Sequence, residues 1–227
     1  MGTRVVLLHG VATTAAVWGR VIRALAARGF DDVVAPDRPC TGSLKDELEA
    51  VSGFVGDAWV VGQSGGATLV LALAASGIRM AGGIAHEPAV GSLLPGLLTP
   101  AATAFAEGGT TRFARTLYGA SWLPEMAGPD TDAVRRELPM FRSFEPARRA
   151  SGQGDVLVTV GEGSPRPRHE AAHALRHTLG YRVATIPAVA HFVAWDAPDV
   201  FAELIAREIN DARRTAQPGD FDDACIG

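Results

Sequence analysis

Val60-Val61-Gly62-Gln63-Ser64-Gly65-Gly66-Ala67-Thr68-Leu69-Val70 is a short β-branched run that meets G-x-S-x-G and passes at once into an Ala/Leu-rich helical run. A turn that sharp between strand and helix puts Ser64 on its tip in a strained backbone conformation, and Gly62, Gly65 and Gly66 supply positions with no Cβ to obstruct it. The hydroxyl then stands clear of the fold, and the N–H groups opening the next helix face whatever it attacks. A bare G-x-S-x-G arises by chance in a chain with 26 glycines. Its place between a buried-type strand and a helix is the context the motif requires, and Ser64 is read as a nucleophile.

Bulk composition bounds the rest. A chain of 227 residues suits one domain that buries most of the surface its unfolded form exposes. Hydrophobic residues make up 47% and charged residues 20%, as in globular proteins. The formal net charge of −4 offers no basic footprint for nucleic acid and no polybasic membrane patch. Cys40 and Cys225 lie far apart and make no disulfide framework, which suits a reducing compartment. No uninterrupted apolar stretch approaches the roughly 20 residues of a membrane span, and with only four apolar residues in a row near the N-terminus no secretion signal is expected. The expected location is the cytoplasm.

Outward from the elbow, strands and helices alternate. Val5-Val6-Leu7-Leu8 is a continuous apolar run, as for a strand covered on both faces. After His9-Gly10-Val11, Thr13 or Thr14 is placed to cap a helix carrying Val17, Trp18, Val21, Ile22 and Leu25, with Gly29 as its stop. Val33-Val34-Ala35 is a second strand, and Ser43-Leu44-Lys45-Asp46 opens a helix in capping-box form. Trp59-Val60-Val61 leads into the elbow, whose helix runs to about Ser76. Further strands are expected near Met80 to Ala85, Asp155 to Val160 and Tyr181 to Ile186, with helices over His169 to Leu179 and Pro198 to Arg213. From Ala89 to Gly154 the strand rhythm disappears, which predicts a helical insertion over the sheet. The expected organisation is a core of 1–88 and 155–213, an insertion of 89–154, and a flexible polar tail of 214–227. Such alternation implies a mostly parallel sheet of about six strands with helices on both faces, and ligands there bind beyond the carboxyl ends of strands. His9, Ser64, Glu87, Glu162 and His191 all fall just past such ends.

With these pieces in place the chain resembles the α/β-hydrolase superfamily, in its serine-nucleophile branch, over nearly its whole ordered length. The matching segments are Leu7-Leu8-His9-Gly10, Ala35-Pro36-Asp37 through Gly42-Ser43, Gly62-Gln63-Ser64-Gly65-Gly66, and Ala190-His191-Phe192. The chain begins at the equivalent of the family's third strand, and the insertion sits where the family carries its cap. The resemblance implies that His191 is the base that activates Ser64, and that the backbone N–H groups of Val11 and Gly65 form the oxyanion hole. His9 is expected to brace its loop.

The acid departs from the family pattern. Its usual position, three residues after the glycine ending the penultimate strand, is Ser164, which cannot carry the negative charge that stabilises an imidazolium. Glu87, one strand earlier, is similar to the arrangement in haloalkane dehalogenases; Glu162 lies in the usual loop but two residues early. Strand-end geometry favours Glu87 over Glu162.

One motif competes. His169-Glu170-Ala171-Ala172-His173 matches H-E-x-x-H, which on a helix binds zinc with its glutamate as base, and His177 extends the series. At 3.6 residues per turn, however, Ala171, Ala172, Leu175 and Leu179 form the apolar face and the histidines look outward. A zinc metalloprotease is therefore the remote alternative. Arg166 and Arg168 flank the Ser164 loop and are candidates to meet an anionic substrate. The expectation is a cofactor-independent serine hydrolase, monomer or homodimer, acting on a small-to-medium, fairly apolar ester, thioester or lactone. A dehalogenase or epoxide hydrolase reaction is disfavoured, because those branches attack with an aspartate where Ser64 stands. A ligand-binding or barely catalytic member of the same fold is the alternative from another class.

Overall fold

The computed structural model describes residues 2–216. Six strands form one sheet: β1 (Val5–Leu8), β2 (Val33–Val34), β3 (Trp59–Gln63), β4 (Gly82–His86), β5 (Val156–Gly161) and β6 (Arg182–Ile186). Their order is β2-β1-β3-β4-β5-β6, and every adjacent pair is parallel. The continuous apolar runs mark the middle of the sheet: β1, β3, β4 and β5 are buried along their whole lengths, whereas edge strand β6 is exposed or half-buried until Ile186.

Helices α1 (Gly19–Ala26), α2 (Leu44–Val55), α3 (Gly65–Ser76), α6 (Arg166–Leu179), α7 (Val193–Asp196) and α8 (Pro198–Ala216) cover the sheet, with α1 packed on α8 and α2 on α3. Apolar on all sides, α3 is buried from Gly65 to Ala74, and ends at Gly77 in the left-handed region. Between β4 and β5 no strand occurs, and the main helices there are α4 (Thr99–Tyr118) and α5 (Ala133–Arg142). Gly108 and Gly109 leave helical geometry inside α4 and kink it.

Two local expectations are corrected. Neither Thr13 nor Thr14 caps the first helical segment; Thr13 donates to the Gly10 carbonyl, and the Asp37 carboxylate takes the Ala15 N–H at 2.7 Å. A carboxylate from the next loop satisfies that helix start in place of a local hydroxyl. The final helix also continues past Arg213 to Ala216, supported by an Asp211–Arg214 ion pair and by Thr215 bonding back to the Ala212 carbonyl. The rest of the expected tail, Cys225 included, lies outside the described residues. No helix among the described residues is long and apolar enough to cross a membrane.

The topology fixes where a ligand meets this sheet. From β1 the chain leaves to β2 on one side and returns to β3 on the other, so the loops after β1 and β3 diverge at a switch point. Val11 belongs to the first loop and Ser64 to the second.

Candidate active site

Ser64 sits between β3 and α3 with φ 56° and ψ −119°, a conformation that costs a non-glycine residue on the order of 1–3 kcal/mol. Close packing enforces it. A Cβ on Gly62 would overlap the Gly66 backbone, and one on Gly66 would overlap the Leu8 carbonyl. The elbow is thereby wedged against β1, which brings the Val11 loop beside it. Neither the Val11 nor the Gly65 N–H donates to a protein acceptor among the described residues; the Gly65 group is one of the unpaired donors that open any helix.

Glu87 also has positive φ, 53°, just past β4. Its side chain is fully buried, and its Oε2 lies 2.7 Å from His191 Nδ1. The other oxygen accepts from the Gly161 N–H at 2.9 Å and from the Ser164 hydroxyl at 2.5 Å. Burial pushes the Glu87 carboxyl up, but the bond from His191, the attraction of His191 and His86 once acid protonates them, and the Arg168 charge outweigh it and hold the group well below the usual carboxylate range. Glu162 is exposed and accepts from the Ala188 N–H at 3.0 Å; it makes no bond to His191.

Burial, then the Arg168 guanidinium, lower the His191 pKa from its ordinary value against the pull of Glu87. The imidazole is thus neutral at neutral pH. With Nδ1–H given to Glu87, Nε2 carries the free lone pair; it is buried and has no partner among the described residues. Two residues from the sheet hold the His191 loop. His86 donates from Nε2 to the Ala190 carbonyl at 3.1 Å and accepts at Nδ1 from Thr159, and Gln63 accepts from the Ala194 N–H at 3.0 Å.

Tyr118 is not among the candidates drawn from the sequence. The residue is buried at the end of α4 and donates to the Val11 carbonyl at 2.7 Å. Its ring lies nearly parallel to the His191 imidazole, 5.4 Å between centroids. Burial raises the phenol pKa. Tyr118 therefore touches both the Val11 loop and His191.

Arg166 and Arg168 part company. Arg166 is exposed and pairs with Glu170, whereas Arg168 folds inward, donating to the Glu87 carbonyl at 3.2 Å with its Nε 3.6 Å from Glu87 Oε2. His9 braces its loop: Nδ1–H meets the Gly10 carbonyl, Nε2 accepts from the Arg38 N–H, and burial together with the Arg38 charge lowers its pKa to about 3. Arg38 itself is buried between Glu47, hydrogen-bonded at 2.9 Å, and Glu137 of α5, whose Oε1 lies 2.6 Å away without hydrogen-bond alignment. The H-E-x-x-H histidines sit elsewhere, on the outer side of α6. His173 and His177 are exposed and contact each other at 3.0 Å, and no group of three His, Cys, Asp or Glu among the described residues is arranged to hold a metal.

Ser64 opens into a narrow cavity whose walls are mainly Val11, Ala89, Leu98, Phe113, Leu138 and Phe141, with Arg168 and Glu87 at one side. The arrangement offers a strained hydroxyl, a neutral imidazole backed by a buried carboxylate, and two unpaired amides in a mostly apolar setting. These are the parts that acyl transfer uses.

A family model described as the alpha/beta hydrolase family matches residues 5–204. Solved structures share the fold. The carboxylesterase CesB of Bacillus subtilis superposes with a TM-score of 0.62 at 16% identity, over 93% of this chain and 84% of that one. An enol-lactonase of Burkholderia xenovorans LB400 gives 0.67 at 17% identity, over 92% of each chain. The haloalkane dehalogenase DbeA of Bradyrhizobium elkani USDA94 gives 0.57 at 16% identity, over 94% and 92%. No curated protein matches the sequence.

Proposed function

Because this chain belongs to the alpha/beta hydrolase family, we propose that it is a serine hydrolase that cleaves a small-to-medium, fairly apolar carboxylic ester, thioester or lactone through an acyl-enzyme on Ser64. The observation that carries this reading is the buried Glu87–His191 pair, 2.7 Å apart, with the imidazole's other nitrogen unpartnered.

In the proposed mechanism Ser64 turns its hydroxyl to His191 Nε2, which takes the proton as Oγ adds to the substrate carbonyl. Glu87 stabilises the resulting imidazolium. The oxyanion accepts from the Val11 and Gly65 N–H groups, each typically worth roughly 3–4 kcal/mol of transition-state stabilisation. His191 returns its proton to the leaving alcohol or thiol, and then activates water to release the acid. Apolar walls around Ser64 support an apolar acyl group, and no cofactor enters the scheme. The same proposal has the enzyme working in the cytoplasm, as a monomer or homodimer.

The serine reading is supported further by the side chain itself. Dehalogenation through this fold needs a carboxylate nucleophile, and position 64 is a serine. A ligand-binding reading draws on one observation, the His191 Nε2 that has no partner among the described residues and so is not joined to Ser64. Chromogenic short-chain esters test the proposal: the wild-type protein hydrolyses them and Ser64→Ala does not. Equal turnover by the two would end it.

A further inference from the structure

We propose that Tyr118 is a positioning residue for catalysis, so that the segment between β4 and β5 holds the reacting groups in register as well as covering them; the inference rests on the reading of Ser64 and Val11 given above. Three consecutive carbonyls of the loop after β1 are held by side chains. The Gly10 carbonyl accepts from Thr13 Oγ1 and from His9 Nδ1, both at 2.9 Å. The Val11 carbonyl accepts from the Tyr118 hydroxyl at 2.7 Å, and the Ala12 carbonyl from Trp122 Nε1 at 2.8 Å.

In a trans peptide the N–H points opposite to the carbonyl before it. Holding the Gly10 carbonyl on Thr13 and His9 therefore turns the Val11 N–H away from them, and holding the Val11 carbonyl on Tyr118 fixes the other side of the same residue. Ala12 has φ +56°, a strained conformation that persists only when its surroundings over-determine it. Tyr118 and Trp122 are two of those determinants, and both come from outside the sheet. The phenol is packed tightly onto the loop, since its oxygen fills the space a Cβ on Gly10 would need.

Contacts of the ring extend the same role. Tyr118 stacks on His191 and packs against Phe192, with centroids 5.4 and 4.6 Å apart. One side chain thus ties the loop bearing Val11 to the His191 ring. Removing its hydroxyl leaves the buried Val11 carbonyl without a partner. The Val11–Ala12 peptide then relaxes toward a new acceptor geometry and, through the Val11 backbone torsions, tilts the preceding Gly10–Val11 peptide that bears the Val11 N–H.

Tyr118→Phe keeps the ring on His191 and deletes only the hydroxyl. The expected result is a fall in kcat of tenfold or more with KM within about twofold, matched by an equal loss in affinity for a boronic-acid mimic of the tetrahedral intermediate. The acid limb of the pH profile stays where it is, because Glu87 and His191 are untouched. Trp122→Phe, which frees the neighbouring carbonyl, repeats the pattern and carries the test if Tyr118→Phe does not fold. Wild-type kcat in both variants, or a lower kcat with unchanged affinity for the mimic, overturns the proposal. Hydrolysis that survives Ser64→Ala would instead overturn the reading beneath it.

Discussion

Glu87 reaches His191 from a different strand end than the one on which the family pattern first places an acid: it follows β4, and Ser164, at the usual position after β5, donates a hydrogen bond to it. The serine that cannot supply a charge here helps to hold the carboxylate that does. Glu87→Gln keeps the shape and removes the charge, so kcat should fall by about 10³ to 10⁴, as loss of the acid does in serine proteases. Glu162→Gln should leave kcat unchanged. Steady-state kinetics of the two variants decide the matter, and the reverse ranking would remove Glu87 from the account.

The position of Arg168 predicts a pH effect. Its cation, with burial, lowers the His191 pKa, so the acid limb of kcat/KM should lie below the ordinary imidazole value of about 6.5. Arg168→Met removes a charge that disfavours imidazolium, and the limb should move to higher pH. Full pH–rate profiles for both proteins check this; a shift to lower pH in the variant contradicts the assignment.

Acid should also unfold the protein earlier than its carboxylates alone dictate. Burial, with Arg38 beside His9, keeps His9 neutral down to about pH 3; burial keeps His86 neutral to about 4 despite the opposing pull of Glu87. In the unfolded chain both take up protons below about 6.5. Their contribution is fully present above that pH and is lost as pH falls toward the folded values, by up to about 1.4 kcal/mol per pH unit for each group. Calorimetric Tm should hold level above pH 7 and drop steadily between about pH 6 and 4. A flat Tm across that interval would refute the argument.

Gly66→Ala tests the elbow's packing without touching a reacting group. The added methyl would overlap the Leu8 carbonyl, which lies in the central sheet and has no room to yield. Destabilisation of several kcal/mol or failure to fold is expected, at the severe end for single substitutions, and urea unfolding measures it. Tolerance of alanine there would mean that the strand–helix wedge is looser than described.

How much of this was legible in the sequence follows from how local each signal is. The apolar runs of β1, β3 and β5, the glycine-flanked elbow at Ser64, and the outward face of His173 and His177 are set by near neighbours along the chain. Residues at strand ends were readable as a rim, which is how His191 and Glu87 could be paired across 104 positions. Contacts made by the segment between β4 and β5 were not. Nothing near Tyr118 in sequence distinguishes it from Phe105 or Phe113, because its partners at Val11 and His191 lie 107 and 73 residues away. Likewise Arg168 and Arg166 sit two positions apart, and only helix phase sends one to Glu87 and the other to solvent.

The most direct measurement is covalent. Intact-mass spectrometry after brief treatment with a fluorophosphonate, followed by peptide mapping, should show one adduct per chain, on Ser64, and labelling slowed at least a hundredfold in His191→Ala. A protein that hydrolyses esters yet acquires no adduct, or acquires it at another residue, would contradict the account.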